Sequence, residues 1–94
     1  MDEVSGDWIV KPTRPVLRAL EHQLPEAVAW AAYAFISERL PLNPYRLGHQ
    51  LDPPYDNLWS ARLGTYRVVY EIVPEHHTVF VRSIRPRSDV YGVR

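Results

Sequence analysis

Arginine is the residue of this sequence with the most chemistry in it, and it is unevenly placed. Ten of the eleven basic residues are arginine, and Lys11 is the one lysine. Residues 58–94 hold six arginines against Glu71, Glu75 and Asp89, a net charge of +3. Residues 1–57 hold five basic and eight acidic residues, a net of −3, so the whole chain is neutral. A guanidinium is a planar fork of donors that matches the oxygens of a phosphate. It stays protonated, so it stabilises charge and makes a poor general base. Solvated faces and salt bridges are the structural alternative for the same residues.

Spacing narrows this. In YRVVYEIV (66–73), Tyr66, Val68, Tyr70 and Ile72 alternate with Arg67, Val69, Glu71 and Val73. Both sets are largely apolar, which predicts a central strand. An arginine inside such a strand is costly unless it is paired or opens onto a charged ligand. Two readings of Arg67 stay open: an ion pair with another strand, or a phosphate contact. In the terminal run IRPRSDVYGVR (84–94), Val79, Val81, Ser83, Arg85 and Arg87 share parity if the strand continues. Pro86 favours extended geometry at Arg85 and, lacking an N–H, marks a strand end or edge. Arg85 and Arg87 would then project together, with Tyr91 close behind. Arg62 adds charge if the strands form a meander. Guanidinium groups beside an aromatic ring suit single-stranded nucleic acid, with phosphates on the arginines and a base on the ring.

The remaining candidates carry less. His76 and His77 sit in a probable turn with no third ligand spaced to help, so no metal site is expected. His22 and His49 stand isolated. Trp30 and Tyr33 are expected to be packing residues. No HExxH, Walker loop, GxGxxG or Ser-His-Asp arrangement occurs. The chain has no cysteine, which excludes disulfide and thiol chemistry and is compatible with a cytoplasmic location. No apolar run is long enough to span a bilayer, and the acidic start MDEVSGDW does not read as a signal peptide.

The elements that must position these residues follow from pattern. Ninety-four residues with a 46% apolar fraction make a single domain, residues 1–94. WIVK (8–11) reads as a short strand stopped by Pro12. Thr13 is a candidate N-cap for a helix through RPVLRALEHQL, with Val16, Leu17, Leu20 and Leu24 on its apolar stripe. Pro25 separates it from a second helix, EAVAWAAYAFISERL, with the stripe Val28, Ala32, Phe35, Ile36 and Leu40. Residues 42–57 are expected to be a loop with room for one turn of helix. Strands follow at 58–63, 66–73 and 78–84, joined by turns at Gly64-Thr65 and PEHH. The order predicts an α+β fold: an N-terminal strand, a two-helix hairpin, then a three-stranded antiparallel meander, in one curved sheet with the helices on one face.

The ordered set LWSARLGTYRVVYEI, then VFVRSIRPRSDVYGVR, resembles the C-terminal half of the RelE/ParE toxin superfamily, on its RelE-like branch. Upstream, Trp8, the two helices and the L-x-x-NP-x-x-x-G-x-x-L segment from Leu40 to Leu51 match in order and spacing, so the resemblance covers nearly the whole chain. It implies a toxin of a type II toxin–antitoxin system that cuts messenger RNA on the ribosome. It implies no cofactor: the substrate's 2′-hydroxyl attacks the adjacent phosphate without a metal. Carried onto these residues, Arg67, Arg85, Arg87 and Tyr91 would be catalytic, with Arg62 and Arg82 as RNA contacts. The partners would be a DNA-binding antitoxin with an acidic toxin-binding segment, and messenger RNA on the ribosome, with no membrane. The lysine pair that some members carry on the strand before YR is replaced by Leu58 and Ser60, which leaves no general base in view. A ParE-like inhibitor of DNA gyrase, and a weak or inactive member that mainly binds its antitoxin, are the alternatives.

Overall fold

A computed structural model describes residues 7–88. Its sheet has five strands in the order β1-β5-β4-β3-β2: β1 Ile9–Pro12, β2 His49–Gln50, β3 Leu58–Leu63, β4 Tyr66–Val73 and β5 Thr78–Pro86. Strands β3, β4 and β5 pair antiparallel, as expected of the meander, β2 adds antiparallel to β3, and β1 joins the outer edge of β5 in parallel. The sheet is therefore mixed. It is also one strand wider than the sequence pattern predicts, because β2 lies in the segment expected to be loop.

The helical hairpin forms as the stripes predict. Helix α1 runs over Arg14–Arg18 and ends in a wide turn, Ala19–Gln23; α2 runs over Glu26–Ala34 and ends likewise over Phe35–Arg39. In each wide turn a backbone N–H reaches five residues back, Leu24 to the Ala19 carbonyl at 3.0 Å and Leu40 to the Phe35 carbonyl at 2.9 Å. Thr13 holds the N-cap position of α1, yet its hydroxyl caps nothing in the helix. It donates instead to the Val81 carbonyl at 2.8 Å, stitching the hairpin to β5.

One face of the sheet takes the hairpin. Val16, Ala32, Phe35, Ile36 and Leu40 from the helices pack with Ala61, Val68, Tyr70, Val79, Val81 and Ile84 from the strands. Two stripe expectations are corrected. Leu17 is 44% exposed, and Ala19, the first residue of the wide turn after α1, is buried alongside Val16. Trp30 and Tyr33 do not pack inside; they are 66% and 58% exposed and meet edge to face at 6.4 Å. They stand over a groove of about 570 Å³ shared with Leu20, Leu24 and Ala29 and flanked by Glu21 and Glu26.

Tyr70 holds the segment after the hairpin in place. It is fully buried, and its hydroxyl donates to the Pro44 carbonyl at 2.7 Å. Burial pushes its pKa up from 10.0 to about 12. Pro44 opens a single helical turn, α3 (Pro44–Leu47), and Gly48 then brings the chain against β3. A Cβ at Gly48 would lie 2.5 Å from the Ser60 carbonyl oxygen and 2.8 Å from the Tyr70 hydroxyl. Only glycine permits that approach, and it delivers His49 and Gln50 into the sheet.

Candidate functional site

The face of the sheet away from the helices carries the arginines. The turn between β3 and β4 is tight, with Gly64 at a φ of +62 that glycine adopts without penalty. It closes the hairpin so that Leu63 opposes Tyr66 and Arg62 opposes Arg67. On the other side of β4, Arg67 opposes Arg85. Residues directly opposite in a sheet share a face, with Cβ atoms about 5 Å apart. Arg62, Arg67 and Arg85 therefore form one row across three adjacent strands. Arg62 and Arg85 are exposed and Arg67 is half-buried between them.

The row exists because β5 contains an irregularity. Val69 opposes Ser83 but Tyr70 opposes Val81, so Arg82 is an extra residue on β5. A one-residue insertion reverses which face every later side chain takes. Before it, Val79 and Val81 point into the core; after it, Ile84 does. The parity expected from sequence, with Val79, Val81, Ser83 and Arg85 on one face, is thus corrected. A regular strand would have sent Arg85 in among the core valines.

Arg82 stands elsewhere. Its Nε donates to Glu71 Oε1 at 3.1 Å, its Nη2 makes a second, shorter contact with the same oxygen, and its guanidinium lies 5.5 Å from the centre of the Phe80 ring. Glu71, the nearest carboxylate to Arg67 along β4, is engaged with Arg82. Arg87 lies one residue past the end of β5 rather than on the strand. Its backbone N–H donates to the Thr65 carbonyl at 2.8 Å, beside the β3–β4 turn, and its side-chain Nε is buried with no acceptor among the described residues. Tyr91 lies outside the described residues.

Sequence reasoning missed the other wall. Loop 51–57 folds back beside Arg67, held by Leu51 N–H to the Leu58 carbonyl at 3.0 Å and Tyr55 N–H to the Asp52 carbonyl at 2.9 Å. With β2 it encloses an open pocket of about 430 Å³ lined by His49, Gln50, Leu51, Asp52, Pro53, Tyr55 and Arg67. His49, isolated in the sequence, opposes Ser60 on β3, two residues from Arg62 on the same face. The available signal was Gly48, a glycine in a proline-rich stretch that marks a close backbone approach. Chemically, the assembled face offers forked cations in a row, an imidazole, a phenol and a carboxylate around one cleft.

A small α+β domain with a helical hairpin on one sheet face is a fold that the chain shares with toxins of toxin–antitoxin pairs. Residues 16–91 match the family described as the ParE toxin of the type II toxin–antitoxin system parDE. Toxin RelE of Mycobacterium tuberculosis is 45% identical over 69 residues, spanning 73% of this chain and 71% of that protein. Toxin RelG of the same organism is 37% identical over 70 residues, spanning 74% and 80%. Among solved structures, a chain of the M. tuberculosis toxin–antitoxin complex RelBE2 superposes with a TM-score of 0.80 at 34% identity, covering 94% of this chain and all of that one. The chain belongs to the RelE/ParE superfamily and is a toxin of the type II toxin–antitoxin class.

Proposed function

We propose that this toxin is an endoribonuclease that cuts messenger RNA on the ribosome and is held inactive by a cognate antitoxin. The observation that carries the reading is the row Arg62–Arg67–Arg85. Forked cations in register on one sheet face form a surface along which the phosphates of a polyanion can lie. Arg67, in the middle and half-buried, is the residue that meets the reacting phosphate, where preorganised charge acts most strongly. Arg62 and Arg85 hold the flanking phosphates, and Arg87 and Tyr91 complete the site from the C-terminal segment. Arg82, tied to Glu71, belongs to the scaffold. In this chemistry the substrate's own 2′-hydroxyl attacks phosphorus. The antitoxin covers the row with an acidic segment, as charge complementarity favours.

A second reading rests on the ParE description of the matching family: a toxin that binds and inhibits DNA gyrase. Inducing the chain without its partner separates the two, by mapping messenger 5′ ends while measuring plasmid supercoiling. Codon-phased cuts with unchanged supercoiling are expected. Growth arrest with intact messages and altered supercoiling would transfer the function to gyrase. No arrest at all would leave a protein that only binds its antitoxin.

A further inference from the structure

We propose that His49 is the general base that removes the proton from the attacking 2′-hydroxyl. The assignment rests on the nuclease reading above and supplies the one function an arginine row lacks.

The placement is geometric. His49 opposes Ser60, and Arg62, on the same face of β3, opposes Arg67. With strands about 4.8 Å apart and about 3.4 Å per residue along them, the α-carbons of His49 and Arg67 stand about 12 Å apart. That is too far for their side chains to pair tightly. It suits two groups that reach toward a nucleotide held between them, and both line the same 430 Å³ pocket. His49 is exposed, so its imidazole is open to substrate. The charged and titratable groups around it are Arg62 on β3, Arg67 on β4, and Asp52 and Tyr55 on the loop.

The other histidines are placed differently. His76 and His77 lie in the turn between β4 and β5, at the end of the hairpin away from the arginine row, and His77 is stacked on Trp8 at 4.1 Å. His22 is in the wide turn after α1, beside Glu21 at 3.7 Å. His49 is thus the one described histidine on the arginine face of the cleft.

The step balances without a co-reactant other than water. The 2′-O–H bond breaks and its proton passes to the imidazole. The 2′-oxygen bonds phosphorus as the bond from phosphorus to the 5′-oxygen breaks. The 5′-oxygen takes a proton from water, and the imidazolium returns its own to solvent. The products are a 2′,3′-cyclic phosphate and a 5′-hydroxyl.

The test is single-turnover cleavage by the full chain on ribosomes programmed with a defined message, from pH 5.5 to 8.5. Imidazole is the side chain whose charge ordinarily changes in that window. The wild-type rate should rise with pH and level off. His49→Gln should cut about 10²- to 10⁴-fold more slowly, the usual contribution of a general base, with the rise abolished. His76→Gln should keep both rate and profile. Co-sedimentation with ribosomes should be unchanged in His49→Gln, and His49→Asn serves as a second variant should the first fold poorly. Wild-type rate and pH rise retained in both His49 variants would overturn the assignment and leave the nuclease reading standing. So would a rate loss matched by an equal loss of ribosome binding with the pH rise intact. A wild-type protein that cuts no message would remove the nuclease reading and His49 with it.

Discussion

The open face of this sheet carries arginine at two places, about four residues apart along β4, with different neighbours. At one, Arg82 meets Glu71 across the strands and leans over Phe80, so its charge is neutralised and its stem packed. At the other, Arg67 has an arginine across from it on both sides. The first joins a cation to a carboxylate across the strands. The second concentrates positive charge on a surface bordered by a cleft. Residue type does not separate the two; the identity of the cross-strand neighbour does, and that is set by register and by one extra residue in β5.

The sharpest way to break the contrast is to remove the central guanidinium. Arg67→Ala should lower single-turnover cleavage about 10²- to 10³-fold, the size found for loss of one preorganised donor at a developing charge. Circular dichroism should show the fold retained. Next in size is a test of the scaffold that holds the cleft wall. Tyr70 has its pKa raised to about 12 by burial, so the folded state keeps a proton that the unfolded chain releases above pH 10. The stability this represents is fully present below pH 10 and drains away as pH rises towards 12. The loss should be roughly 2–3 kcal/mol by urea melts, and Tyr70→Phe should remove that slope.

Smaller effects sharpen the same comparison. Arg62→Ala and Arg85→Ala should each reduce the slope of log affinity for single-stranded RNA against log salt by about 0.7, one phosphate's worth of released counterions. The smallest effect belongs to the neutralised cluster. Arg82→Ala should leave cleavage and salt slope unchanged and cost no more than about 1 kcal/mol of stability, as for a partly exposed ion pair. If Arg82→Ala changed the salt slope as much as Arg85→Ala, the two clusters would not differ in function.

Much of the scaffold was legible in the sequence because its elements are strongly patterned. The stripe Ala32, Phe35, Ile36 and Leu40, and the alternation through 66–73, each suit one geometry. The Gly64-Thr65 turn fixed which arginines face each other on β3 and β4. What was not legible depends on tertiary context. Two residues, His49 and Gln50, are too short a run to show strand periodicity; they are a strand because Gly48 allows the backbone to approach Ser60 and Tyr70. In sequence, Leu58 and Ser60 on β3 offer no base, and nothing there shows that His49 stands directly across from Ser60. The extra residue at Arg82 was equally hidden, since its one trace in the sequence is a single apolar residue, Ile84, out of step with Val79 and Val81. Trp30 and Tyr33 looked like core by residue type, but they lie off the α2 stripe and remain exposed.

The central claim is that the row Arg62–Arg67–Arg85 is the phosphate site. It is tested most directly by a structure of the full chain on a ribosome programmed with a message carrying a 2′-deoxy nucleotide at the cut position, which halts the reaction with substrate in place. The account predicts the scissile phosphate within about 3 Å of the Arg67 guanidinium, hydrogen-bonding distance, with its neighbours on Arg62 and Arg85. A message threaded past Arg82 and Glu71, or over the groove beneath Trp30 and Tyr33, with the row left facing solvent, would contradict it.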